Sequence, residues 1–405
     1  MKKGIRPYMV TLFTGGIDKH YACGLSKSLA MSGITVDVIC NTDMDTHEMR
    51  STPKLRLFTL YDKPPRHQSI TRKLLMYARV YLRLIRYAAT SSARIVHILW
   101  HYKLTAFDRT LLLVYYKALG KQIVFTAHNI NAGERDGSDS RLNRLSLRIQ
   151  YRLVDHIFVH TDKMKHQLVE TFGIREKKIT VIPFGMYDMV PQSTLTSAEA
   201  KQRLGLCSSD RAILFFGRIA PYKGIDLLVD AFGRIALQDK SYRLIIAGEP
   251  MKESEQEWAN LQQVIEQSPM RPQVLQHTRF IGDNEIELYF KAADVLVLPY
   301  TQIFQSGVLF MAYSFGLPVI ATDVGSFGGD IIAGVTGFVC KPGDPVDLSK
   351  VIEMYFSSEL FRMLDERRAG IQRFVHESHS WGVAAGKTSD VYAELMGHKQ
   401  LQYST

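Results

Sequence analysis

This 405-residue chain has only four cysteines, Cys23, Cys40, Cys207 and Cys340, and no two fall at the close spacing of a zinc knuckle or a redox pair. A disulfide scaffold and a thiolate metal site are both excluded on that count. Long apolar runs are missing as well. No segment approaches the ~20 consecutive apolar residues that a membrane-spanning helix needs. The opening Met1-Lys2-Lys3-Gly4-Ile5-Arg6 has the charge of a secretory leader. The apolar stretch behind it is about half a dozen residues and runs into Gly15-Gly16, so a first strand is expected there, in a reduced, cytoplasmic protein. No internal repeat or low-complexity segment is present, and the dinucleotide fingerprint Gly-x-Gly-x-x-Gly does not occur.

Negative charge is scarce in one half. Residues 1–190 hold 30 Lys+Arg against 15 Asp+Glu, a net of +15, and the remainder, 20 against 25, carries −5. Between Lys63 and Phe107 no acidic residue occurs, while Arg72, Arg79, Arg83 and Arg86 recur at helical spacing among Leu75, Tyr81, Leu82 and Ile85. A second basic face runs through Arg141, Arg144, Arg148 and Arg152. Two readings fit: peripheral association with an anionic membrane, or the solvated outer helices of an α/β domain. Nucleic acid is not expected as a partner, because no nucleic-acid motif accompanies the charge.

What is present, at 46% hydrophobic and 22% charged residues, is an ordinary globular composition. Strands are expected at 8–13, 35–40, 54–58, 95–100, 122–126, 156–160 and 179–182, with helices over 21–32, 72–88, 106–119, 142–153 and 162–172. The alternation then restarts. Strands at 212–216, 243–247, 278–281, 295–298, 318–322 and 337–340 alternate with helices starting near Gly224, Ser254, Glu285, Gly307 and Asp347. Two doubly wound, Rossmann-like α/β domains follow, facing a central cleft. Their expected bounds are 1–190 and 191–375, with a helical segment, 376–405, returning toward the first.

The chemistry gathers in four segments. Gly217-Arg218-Ile219-Ala220-Pro221-Tyr222-Lys223-Gly224 follows a strand and opens a helix, where a guanidinium, an ammonium and a helix N-terminus together suit a diphosphate. Gln305-Ser306-Gly307-Val308 again places small residues at a helix start. Gly15-Gly16 allows close backbone approach to an anion. His128 stands just past a strand end, beside a loop over 133–140. Asp43-Met44-Asp45 has the spacing of a metal-holding Asp-x-Asp, but it follows the second strand, far in sequence from the other segments, and no metal is expected.

With these segments in order, the chain resembles the group 1 (family 4-like) glycosyltransferases of the GT-B fold. Gly217-Arg218, Lys223-Gly224, Ala247-Gly248-Glu249, the run 293–299 and Gly316-Leu317-Pro318-Val319-Ile320-Ala321 carry the likeness over nearly the full length. The resemblance implies a nucleoside-diphosphate sugar on the C-terminal domain and an acceptor on the N-terminal one. Arg218 and Lys223 would hold the diphosphate and Gly15-Gly16 would meet it from the other side. Phe280 and Gln305 to Val308 would complete the donor site, with the base near 279–283 and Tyr300, and His128 would lie beside the transferring sugar. It implies transfer to a hydroxyl acceptor with retention. The basic N-terminal half fits a glycan or polyprenyl-linked acceptor in exopolysaccharide or surface-glycan synthesis, and Arg218 and Lys223 can take the place of a metal cofactor. One departure is plain: the family's two glutamates fall at Ile303 and Met311, as in a variant branch. A non-catalytic nucleotide-sugar-binding subunit and a nucleotide-sugar epimerase are the alternatives.

Overall fold

The computed structural model describes residues 8–61, 69–135, 138–186 and 190–397. By contacts the chain forms two compact units: the chain up to Gly185 together with the segment from His379 on, and Met186–Ser378.

Unit 1 is built on seven parallel strands: β1 (Met9–Phe13), β2 (Thr35–Asn41), β3 (Leu55–Tyr61), β4 (Ile95–Ile98), β5 (Gln122–Thr126), β6 (His156–Val159) and β7 (Ile179–Val181). Their spatial order is β3-β2-β1-β4-β5-β6-β7. β1, β4, β5 and β6 are apolar and buried on both faces, as strands covered by crossover helices must be. The helix expected over 106–119 is broken: it runs Thr105–Arg109 and resumes at Leu111–Ala118, because Thr110 leaves the helical region at φ −124° and ψ −87°. The C-terminal helix Trp381–Leu395 packs on the helix Lys19–Met31. Gly24 makes room for it, since a Cβ there would stand 2.1 Å from the Trp381 indole. Tyr392 adds a hydroxyl that meets His97 Nδ1 at 2.5 Å in the sheet core.

Unit 2 has six parallel strands: β8 (Arg211–Phe216), β9 (Tyr242–Ala247), β10 (Val274–His277), β11 (Val295–Leu298), β12 (Val319–Thr322) and β13 (Gly337–Cys340). Their order is β10-β9-β8-β11-β12-β13. The strand expected at 278–281 is instead a loop, and the strand lies one segment earlier. Val274 pairs with Leu244 and His277 with Ala247, whereas Phe280 is exposed and Arg279 is tied to Glu285 at 2.9 Å.

In each sheet, order reverses beside the first strand, between β1 and β4 and between β8 and β11. Crevices at the carboxyl ends of strands at such switch points are where open α/β sheets take ligands.

Candidate active site

At the switch point of unit 2, β8 leads through Gly217 into a short 3-10 turn, Pro221–Lys223, and then into the helix Ile225–Ala236. Positive φ at Gly217 (+101°) and Gly224 (+61°) makes this path available. At Gly224 a Cβ would also lie 2.1 Å from the Pro299 carbonyl, so the loop is pinned against the end of β11. Lys223 is only 7% exposed, and its ammonium sits 5.4 Å from the centre of the Tyr300 ring. A Cβ on Gly217 would be 3.0 Å from that ammonium and 3.6 Å from Val308 Cγ2. The glycine loop, Lys223, Tyr300 and the start of the helix Gly307–Ser314 thus converge. Arg218 is exposed and makes no ion pair or side-chain hydrogen bond among the described residues.

Ser306 stands at the N-cap of that helix, 5% exposed and with no side-chain capping bond. Its hydroxyl lies near Tyr300, whose phenol is buried and pushed far above its ordinary range by burial. Gln305 is half-buried, with an Oε1 that has no partner. Phe280, 62% exposed, follows β10, two strands away from β8. Arg279 is engaged with Glu285 through both terminal nitrogens. Tyr300, at 1% exposure, is a floor for Lys223 more than a surface. At the two positions where the family carries glutamates, Ile303 is half-buried and Met311 is buried in the helix.

The switch point of unit 1 is aromatic. After β1 the chain turns through Gly15 (φ +60°) and Gly16 (φ +74°) to Asp18, which accepts from Tyr21 N at 3.0 Å and caps the helix Lys19–Met31. A Cβ on Gly15 would be 2.6 Å from the Trp100 carbonyl, so this turn is fitted to the loop after β4. His128, two residues past β5, stacks on Trp100 with ring centres 4.0 Å apart and planes 4° from parallel. Tyr21 meets it edge-on at 4.6 Å.

Hydrogen bonds fix the tautomer of His128. His160 Nδ1 lies 3.2 Å from the Ile182 carbonyl, which can only accept, so that nitrogen carries the proton. In neutral His160 the other nitrogen, Nε2, is therefore an acceptor, and it faces His128 Nδ1 at 3.1 Å. His128 then donates from Nδ1 and keeps an unprotonated Nε2, which is buried and unpartnered. Burial, reinforced by His160 and His97, holds the His128 pKa well below the ordinary histidine value. The result is a neutral imidazole with a free lone pair.

The Asp-x-Asp segment is tied up locally. Asp45 accepts both Nε and Nη2 of Arg50 at 2.5 and 2.6 Å, and it follows β2, away from the switch point. Trp100, Tyr21 and His160 are partners of His128 that the residue pattern did not single out. A readable signal does exist: Trp100, His128 and His160 each lie one or two residues past the end of a parallel strand.

Comparison with known proteins agrees with this architecture. Residues 210–357 match the family described as glycosyl transferases group 1, and residues 15–186 match glycosyltransferase family 4. The chain belongs to the group 1 glycosyltransferases. It is 25% identical over 289 residues to a D-inositol 3-phosphate glycosyltransferase of Streptosporangium roseum, covering 69% of this chain and 65% of that one. It is 29% identical over 218 residues to the mannosylfructose-phosphate synthase of Agrobacterium fabrum, covering 52% and 47%. The chain thus spans roughly half to two thirds of the length of such relatives. Among solved structures, a sucrose-phosphate synthase from Thermosynechococcus elongatus superposes with a TM-score of 0.76 at 18% identity, over 96% of this chain and 99% of that one. Anabaena HepE in complex with UDP and glucose superposes at 0.73 and 17%, over 96% and 100%. At these identities the structures speak to the fold, which is GT-B.

Proposed function

We propose that the protein transfers a sugar from a nucleoside-diphosphate donor held on unit 2 to a hydroxyl of a glycan or lipid-linked acceptor held on unit 1. The observation that carries this reading is the buried Lys223 ammonium, set over Tyr300 at the switch point beside the uncommitted guanidinium of Arg218. Support comes from HepE, which has been solved with UDP and with UDP-glucose. In the reaction the bond from the sugar anomeric carbon to the diphosphate oxygen breaks and one to the acceptor oxygen forms. The acceptor proton passes to the departing phosphate, with retention through an oxocarbenium-like transition state. Negative charge grows on the diphosphate as it leaves, which is when Arg218 and Lys223 contribute most, without a metal. Gln305, Ser306, Gly307, Val308 and Phe280 complete the donor site on unit 2, while on unit 1 Gly15 and Gly16 present backbone donors suited to an anion. His128, neutral and with Nε2 free, accepts a hydrogen bond from the sugar or acceptor.

The acceptor reading rests on surface chemistry. On the helix Ile70–Thr90, Arg72, Arg79, Arg83 and Arg86 are exposed, and so are Ile70, Leu74, Leu75 and Leu82. Charged and apolar groups side by side on one outer helix suit an anionic lipid surface, each arginine contributing about 1 kcal/mol there. No described helix is long and apolar enough to cross a membrane. Polyprenyl-linked glycan assembly at the inner face of the membrane fits these features.

Thermal stabilisation against UDP, GDP, dTDP and ADP, with and without EDTA, tests the donor site. One diphosphate should raise Tm, unchanged by EDTA, and so name the base. No shift with any of them would remove the donor reading, and binding without turnover would favour the non-catalytic subunit. Donor conversion without any acceptor would point to an epimerase.

A further inference from the structure

Asp330 belongs to none of the segments that build the donor site, yet it lies against the loop that carries Gln305. After β12 the chain turns through Gly325, at φ +60°, and Ser326 into the short helix Phe327–Asp330. A Cβ on Gly325 would stand 2.2 Å from the Ile303 carbonyl, and Ser326 N donates to the Phe304 carbonyl at 3.0 Å. The turn is thus fastened to the residues just before Gln305. Phe327 meets Tyr300, the floor of Lys223, with ring centres 5.6 Å apart. At the far end of the turn the Tyr313 hydroxyl donates to the Asp330 carbonyl at 3.1 Å.

The side chains there leave acceptors unmet. Gln305 Oε1, Ser326 Oγ and Asp330 Oδ2 are all buried without a hydrogen-bond partner of normal geometry. Burial raises the Asp330 pKa to about 6, while the Ser326 and Gln305 side chains oppose that rise. A carboxylate is favoured by donors, and the donor that the Gln305 side chain owns is Nε2. The amide nitrogen is therefore turned toward Asp330 and Oε1 away from it. No cation among the described residues forms an ion pair with this carboxylate. An acceptor desolvated without a partner is unfavourable, and a hydroxyl completes it. In a nucleotide sugar the diphosphate offers acceptors, whereas the ribose and the hexose carry hydroxyls.

We infer that Asp330 is a positioning residue of the donor site, whose carboxylate holds the Gln305 amide so that Oε1 presents an acceptor to a hydroxyl of the nucleotide sugar. This rests on the reading that unit 2 binds the donor. Above about pH 6 the carboxylate holds the amide; below it, the protonated carboxyl becomes a donor and competes for Oε1. The titratable groups around it are Tyr300 and Tyr313, whose phenols burial keeps neutral, Lys223 beyond the Tyr300 ring, and the exposed Asp323 on the turn before it.

The test is thermal stabilisation of the full chain by UDP, GDP and ADP, by their 2′,3′-dideoxy forms, and by UDP-glucose, UDP-galactose, GDP-mannose and ADP-glucose. Wild type at pH 7 should bind at least one hydroxyl-bearing ligand more tightly than the matching dideoxy diphosphate. In Asp330→Asn, whose amide competes for Oε1, that advantage should fall about three- to tenfold, the loss of one hydrogen bond, with dideoxy binding unchanged. Gln305→Met should lose at least as much. Lowering the pH to 5 should remove the advantage in wild type and leave Asp330→Asn flat, and comparing the two proteins at each pH cancels protonation of the ligand. A loss confined to the hexose esters assigns the hydroxyl to the transferring sugar, and a loss already seen with the free diphosphate assigns it to ribose. A merely structural carboxylate predicts a lower Tm in Asp330→Asn with the advantage and its pH dependence intact, and that result would overturn the inference. If Asp330→Asn does not fold, Gln305→Met decides, and an undiminished advantage in it overturns the assignment. A loss shared by the dideoxy forms overturns the hydroxyl as the ligand group. A wild type that responds to a diphosphate but shows no hydroxyl-dependent advantage overturns this inference alone, whereas no response to any ligand removes the donor reading with it.

Discussion

Between β8 and β11 the second sheet carries an ammonium over a tyrosine ring and an exposed guanidinium, whereas between β1 and β4 the first carries stacked aromatics and neutral histidines. The scaffolds are alike: parallel strands, a first strand at the reversal, and a glycine turn leading into a helix. What differs is the charge state of the side chains at the carboxyl ends. In unit 2, Gly217 has no Cβ to crowd the Lys223 ammonium, and the ring of Tyr300 offers its negative face to that charge. In unit 1, Gly15 closes on Trp100, and the histidine beside it is desolvated until its charged form is suppressed. One crevice carries charged side chains, the other neutral rings.

The largest effect expected from this contrast belongs to Lys223→Ala. Removing the ammonium should cost about 2–4 kcal/mol of transition-state stabilisation, read as a fall in kcat/KM of roughly 30- to 1000-fold. The fall should appear in kcat as well as in donor affinity, since charge on the diphosphate grows during the reaction. Unchanged turnover would break the comparison at its charged end.

The loop at 217–224 was legible in sequence because it is contiguous: strand, glycine, arginine, lysine and helix follow one another within a few residues. The aromatic site was not, because Trp100, His128 and His160 leave three different strands and Trp381 arrives from the last helix. Each is an isolated residue until the sheet aligns the strand ends. The parallel, doubly wound character of the two sheets followed from alternation, yet two local expectations failed for physical reasons. In 278–281 the only buried apolar side chain is Ile281, and the pairing edge goes to Val274-Leu275. Across 106–119 the apolar pattern continues through Thr110, but the backbone does not.

A middle-sized effect separates the units by pH. His97 and His101 have pKa values pushed down to about 3, and His156 and His160 to about 4, with His128 lowered as well, all in unit 1 and chiefly through burial. In unit 2, His277 is lowered by burial. A depressed folded-state pKa leaves stability intact above the unfolded value of about 6.5 and removes it as pH falls toward 4, because the unfolded chain binds protons that the folded one refuses. Each such group contributes a slope of up to about 1.4 kcal/mol per pH unit. The aspartates run the other way: Asp108 in unit 1 and Asp330 in unit 2 are raised to about 6 by burial, which disfavours the folded form as pH rises through 4 to 6. With His379, also lowered by burial, six histidines outweigh one aspartate in unit 1, while unit 2 gains from Asp330 on acidification. Hydrogen exchange at pH 7 and pH 5 should therefore show protection lost first in β1, β4, β5 and β6, with β8, β11 and β12 holding. Equal loss in both sheets would mean the histidines are not buried neutral.

The aromatic end of the comparison is sharpened by Trp100→Leu. A parallel stack contributes about 0.5–1.5 kcal/mol beyond the area it buries, so a Tm lower by a few degrees is expected. A comparable loss of turnover should accompany it, as His128 would no longer be held flat. Stability lost with turnover unchanged would make Trp100 a packing residue alone.

The smallest effect is asked of Tyr300→Phe. The Tyr300 hydroxyl is buried and forms no hydrogen bond of normal geometry, with only Ser306 nearby, whereas the ring carries the contact to Lys223. Deleting an unpartnered hydroxyl removes a desolvated polar group and leaves the ring face intact, so stability and donor affinity should stay within about 0.5 kcal/mol of wild type. Tyr300→Leu, by contrast, removes the ring and should weaken donor binding by about 0.5–2 kcal/mol through loss of the cation–π contact. If Phe proves as damaging as Leu, the hydroxyl is what matters. The floor of the unit 2 crevice would then be a hydrogen-bonding group, closer in kind to the polar partners of unit 1 than the contrast between the two allows.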